Sequence, residues 1–96
     1  MEPEALLARL VELAGEVGLP VRRVRGSAVE DGTPARSAVC RVYGSRWVLL
    51  AASDPADARI AVLAEALVEH APRLLDERFL EPAVRERLEA QRAPRA

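Results

Sequence analysis

Residues 37–70 read SAVCRVYGSRWVLLAASDPADARIAVLAEALVEH, and their periodicity changes midway, from alternation up to Ala52 to a three- and four-residue spacing from Ile60 onward. Ala38 to Tyr43 and Arg46 to Ala52 are β-rich runs, and the intervening Gly44-Ser45 fits a type II′ turn with glycine first. That turn sets Tyr43 opposite Arg46, Val42 opposite Trp47, Arg41 opposite Val48 and Cys40 opposite Leu49. Alternation sorts the hairpin, residues 38–52, into two faces. Ala38, Cys40, Val42, Trp47, Leu49 and Ala51 make a wholly apolar one, whereas Val39, Arg41, Tyr43, Arg46, Val48 and Leu50 make a mixed one. The apolar face is expected to meet the helices.

Asp54, Pro55 and Asp57 carry the marks of a helix start, with Asp54 as N-cap, proline in the first turn and an acid at the positive end of the dipole. Ile60, Leu63, Ala64, Leu67 and Ala71 continue the stripe, so a helix is predicted over 55–71, ended by Pro72. Working outward, Leu6, Leu10, Leu13 and Val17 place a helix over 3–17, stopped at Gly18. Val21 and Val24 suggest a strand over 21–26, and residues 30–37, with Gly32 and Pro34, read as a polar loop. Arg73 to Leu80 is expected as a connector anchored by Leu74, Leu75, Phe79 and Leu80. Pro82 opens a helix over 82–92 with Val84 and Leu88 inward. The order α-β-β-β-α-α predicts an α+β fold, an antiparallel or mixed three-stranded sheet covered on one face by helices, in one domain spanning residues 1–96.

Composition bounds the function. A chain of 96 residues buries roughly 60 to 65% of its surface, which leaves little room for a deep pocket. Aromatics are few, so the core is aliphatic, with Trp47, Tyr43 and Phe79 as its expected large plates. All 14 basic residues are Arg, and Lys and Asn are absent. Loss of amides fits a thermophile, but hyperthermophile proteins are enriched in Lys, so a GC-rich bacterial genome accounts for the bias better. A single cysteine, Cys40, excludes an intrachain disulfide and any multi-cysteine zinc site. With no export-signal pattern or long apolar run, a cytoplasmic protein without membrane association is expected.

The stretches Gly18-Leu19-Pro20-Val21 and Leu63-Ala64-Glu65-Ala66-Leu67-Val68-Glu69 resemble the minimal zincin core of small bacterial metallopeptidases that cleave phage-immunity repressors. The resemblance covers residues 5 to 71 in order and pattern. It implies a zincin-like scaffold, in which two histidines four apart hold zinc and an intervening Glu activates water. Here Glu65, Ala66 and Glu69 stand at those positions, so the resemblance implies a degenerate site without the catalytic groups. Cys40-Arg41-Val42-Tyr43-Gly44 and Leu80-Glu81-Pro82-Ala83-Val84-Arg85 are also similar to a group of short bacterial proteins of uncharacterised function.

Glu65, Glu69 and His70 alone gather metal-ligand chemistry in one place. His70 lies about 100° further round the helix, so a solvated surface is the better reading, and neither metal nor cofactor is implied. Cys40 has no evident base and is expected to behave as a small hydrophobe. Arg22, Arg23, Arg25, Arg36, Arg41 and Arg46 with Tyr43 could hold single-stranded nucleic acid, but the net charge of −1 and the lack of a recognised motif speak against it. The mixed face, Val39, Arg41, Tyr43, Arg46, Val48 and Leu50, is too apolar for water and is the expected interaction surface. A non-catalytic protein-interaction module, as a homodimer or with another protein, is therefore favoured over a metal-dependent hydrolase or metal-binding protein using Glu65, Glu69 and His70, and over nucleic-acid binding.

Overall fold

The computed structural model describes residues 1–24 and 36–92. Its elements are α1 (Pro3–Glu16), β1 (Val21–Val24), β2 (Ala38–Val42), β3 (Ser45–Ala51), α2 (Ala56–His70), α3 (Leu74–Glu77) and α4 (Pro82–Arg92). The fold is α+β, and the sheet is mixed, with order β1-β3-β2. β3 is central, parallel to β1 and antiparallel to β2. Among the described residues no helix is long and apolar enough to cross a membrane.

Local chemistry accounts for most boundaries. α1 starts with Pro3 and Glu4, where a missing N–H costs nothing and a carboxylate meets the dipole. It closes in a Schellman arrangement: Leu19 N–H donates to Ala14 O at 2.8 Å and Gly18 N–H to Gly15 O at 3.4 Å, with Gly18 at φ 74. α2 ends at His70, ahead of Pro72. The expected connector after it contains one further short helix, α3, which buries Leu74 and Leu75. Residues 25 and 26 of the expected first strand and 30–35 of the expected loop lie outside the described residues.

Three expectations are corrected. The hairpin turn is Tyr43-Gly44, one residue earlier than Gly44-Ser45, because both of its residues have positive φ, 49° and 81°, the type I′ combination. The register moves with it: Val42 pairs with Ser45, Arg41 with Arg46, Cys40 with Trp47, Val39 with Val48 and Ala38 with Leu49. Alternation still groups the same residues together, but the two faces exchange roles. Val48 (0% exposed) and Leu50 (3%) join the core, whereas Trp47 and Leu49 are only partly buried and lie outside it; Ala51 is buried as expected but apart from the core cluster.

The third strand explains the exchange. Val21 is the register partner of Val48 and packs against the core, so Val21, Val48 and Val39 make one apolar row across the sheet. On the opposite face the row through Leu49 is interrupted by exposed Arg22. Arg23, the register partner of Leu50, is also on the helix side but exposed, so the helices cover the Val21, Val48 and Val39 row and leave the charged heads at its margins. Arg41 and Arg46 also sit on the helix side, but at the turn end of the strands, where their heads reach past the last turn of α2.

The core is a cluster of Leu, Val, Ile and Ala with no aromatic side chain. It holds Leu10, Leu13, Leu63, Leu67, Val84 and Leu88, each fully buried. The expected plates are elsewhere: Tyr43 is 102% exposed, Phe79 94%, and Trp47 lies on the outer face of the sheet. Asp54 is corrected too. It does not cap α2, whose N-cap position is Pro55. Its carboxylate accepts the Ser37 N–H at 2.6 Å, and Ser37 Oγ accepts the Ala51 N–H at 3.0 Å, so the two residues clip the start of β2 to the end of β3.

Candidate functional site

β2 borders the sheet, and its backbone orientation follows from its neighbours. Val48 N–H donates to Pro20 O at 2.9 Å and Ala52 N–H to Val24 O at 3.0 Å, so the even-numbered residues of β3 turn their peptide groups toward β1. Trp47 and Ser45 therefore turn theirs toward β2, where their partners are Cys40 and Val42. The peptide groups of Val39 and Arg41, one on each side of Cys40, face away from the sheet. The strand carries no proline, its one charge is Arg41 on the helix side near the turn, and Val39 and Val42 are 41% and 40% exposed.

At the turn end, Arg41 and Arg46 stand directly opposite on adjacent strands. Like charges so placed repel. Arg46 Nη1 lies 3.9 Å from Glu69 Oε2, the outer limit of an ion pair, and Arg41 has no ion pair among the described residues. Beside them His70 Nε2 lies 3.0 Å from Val17 O, a carbonyl that can only accept, so this nitrogen carries the proton. A cleft of about 410 Å³ is lined by Gly18, Pro20, Arg41, Gly44, Ser45, Arg46, Glu69 and His70.

Of the residues that carry metal-ligand chemistry in the sequence, Glu65 and Glu69 are both exposed on α2, and Ala66 between them is buried in the core. Glu69 turns toward Arg46 and His70 toward the end of α1. Among the described residues no three His, Cys, Asp or Glu side chains converge as a metal-binding group. The expected interaction surface divides: Tyr43, Val39 and Arg41 are exposed, Arg46 is partly buried, and Val48 and Leu50 lie in the core. The free thiol of Cys40 is partly buried on the outer face.

A second polar cluster braces the helices. Arg9 Nε donates to both carboxylate oxygens of Glu81 at 3.1 Å, and its Nη1 reaches Glu12 and Glu16 at 3.3 and 3.4 Å. Glu16 also pairs with Arg78. The Glu81 carboxyl is held below its ordinary range, first by its own backbone N–H and then by Arg9. The Arg9 guanidinium is pushed up by its hydrogen bond to Glu81. All these groups are spent on each other, which makes the cluster a brace between α1 and the start of α4.

The chain matches no family model, no curated protein and no solved structure.

Proposed function

We propose that the chain is a non-catalytic interaction module whose partner is a second copy of itself, joined by antiparallel pairing of two β2 edges about a two-fold axis at Cys40. The observation that carries this reading is the outward orientation of the peptide groups at Val39 and Arg41. A two-fold at Cys40 sets Val39 of one copy opposite Arg41 of the other, the arrangement in which antiparallel residues exchange both N–H···O bonds. These edge groups, unpaired among the described residues, then satisfy one another without any change in the strand. The two outer faces, with Cys40, Val42, Trp47 and Leu49, become continuous.

The non-catalytic part of the reading draws on the zincin resemblance. The helix position that supplies the general base in those enzymes is Ala66 here, and it points into the core. Glu65 and Glu69 face solvent. We read the scaffold as a degenerate one, kept for its sheet and its edge.

Light scattering across a concentration series tests the proposal, with Val39→Pro as the informative variant. The Val39 N–H faces away from β3, so proline removes no bond of the ladder but blocks edge pairing. The expected result is a dimer for the native chain and a folded monomer for Val39→Pro. A native chain that stays monomeric across the series would overturn the reading.

A further inference from the structure

We infer that the cleft between the hairpin turn and the last turn of α2 is a binding site for a doubly charged tetrahedral oxyanion of the phosphate monoester class, held by the Arg41 and Arg46 guanidiniums. The site lies on the helix side of the sheet and does not depend on pairing at the β2 edge.

Three observations carry the inference. First, Arg41 and Arg46 are opposed across the strands, a placement that costs free energy in a bare hairpin and is relieved when an anion bridges the two heads. Second, among the described residues neither guanidinium is hydrogen-bonded to a helix-end carbonyl. At the end of α1, Leu13 O accepts from Val17 N–H, Ala14 O from Leu19 N–H, Gly15 O from Gly18 N–H, and Val17 O is met by His70, so these four carbonyls have partners of their own. Third, the cleft of about 410 Å³ is large enough to take a phosphate with a small organic substituent.

The charged groups facing the cleft are Arg41, Arg46, Glu69 and His70. Glu69 opposes an incoming anion, but its side chain is exposed and its contact with Arg46 is long at 3.9 Å, so the pair is a weak one. His70 keeps its Nε2 proton on Val17 O, so it borders the cleft without donating to the anion, and the two guanidiniums supply the hydrogen bonds. Two arginine forks suit an anion with three terminal oxygens better than a carboxylate with two.

Titration of the native protein with inorganic phosphate and, separately, with acetate at constant ionic strength tests the site, read by amide shifts in a nitrogen–proton correlation spectrum. Saturable shifts from phosphate at residues 41–46, 69 and 70 are expected, with acetate at least about tenfold weaker. Arg41→Gln and Arg46→Gln each weaken phosphate by about tenfold or more, the loss of one charge-assisted hydrogen bond. Both variants are expected to melt no lower than the native chain without phosphate, since the cross-strand repulsion is gone. Shifts that do not saturate, that spread equally to Arg22 and Arg73, or that persist unchanged in both variants would overturn the inference. Equal affinity for acetate would overturn the ligand class.

Discussion

Ser37 donates its backbone N–H to Asp54 Oδ2 at 2.6 Å, a bond that joins the start of the edge strand to the approach to α2. The carboxyl of Asp54 is thereby held below its ordinary range, chiefly by that N–H and then by the Ser37 hydroxyl. A carboxyl depressed in the folded state adds stability above its unfolded pKa, and that stability is lost as pH falls through the folded value. Urea midpoints are therefore expected to hold from neutrality down to about pH 4, near the ordinary carboxyl value, and then to fall. Asp54→Asn should lower the midpoint at pH 7 and lessen the fall below pH 4. An unchanged acid limb in that variant would show that Asp54 contributes nothing to it.

Tyr43 occupies the left-handed region at φ 49 with its side chain wholly in solvent, a conformation that asparagine or glycine adopts at less cost. Tyr43→Asn is expected to stabilise the fold by about 0.5–1 kcal/mol, read as a higher urea midpoint with unchanged slope. A lower midpoint would mean that the ring makes a stabilising contact.

The exchange of sheet faces has a direct energetic signature. Leu50 is in the core and Leu49 is on the outer face. Leu50→Ala should cost about 2–4 kcal/mol, within the range for buried leucines, and Leu49→Ala less than half of that. Equal costs for the two substitutions would contradict the assignment of faces.

The helices were legible because their signals are local. The spacing of Leu6, Leu10 and Leu13, the stop at Gly18, and the pair Pro72 and Pro82 each act within a few residues of the boundary they set. The hairpin was legible as a hairpin but displaced by one residue. Gly44 has positive φ, which suits the first position of type II′ and the second of type I′ alike, and Tyr43 gives no sign of its own left-handed conformation. What decided the buried face was distant in sequence: the parallel register of β1 on β3 puts Val21 beside Val48 and Arg22 beside Leu49, and neither strand alone carries that information. The role of Asp54 is hidden from the local sequence for the same reason. Its pattern with Pro55 and Asp57 is that of a cap, but Ser37, seventeen residues earlier, takes the carboxylate. The candidate site was legible in part, since Arg41 and Tyr43 lie where an exposed surface was expected, whereas the role of His70 beside Val17 depends on the two helix ends meeting.

Pairing of two β2 edges is tested most directly at Cys40, the one cysteine of the chain. A two-fold axis there brings the two thiols together as a non-hydrogen-bonded pair with Cα atoms about 4.5 Å apart, within the span of a disulfide. Mild oxidation of the native protein is expected to convert it rapidly to a disulfide-linked dimer with an unchanged far-ultraviolet circular dichroism spectrum, and Val39→Pro should suppress that conversion. A Cys40 thiol that stays reduced under the same oxidant, or that cross-links equally well in Val39→Pro, would contradict pairing at this edge.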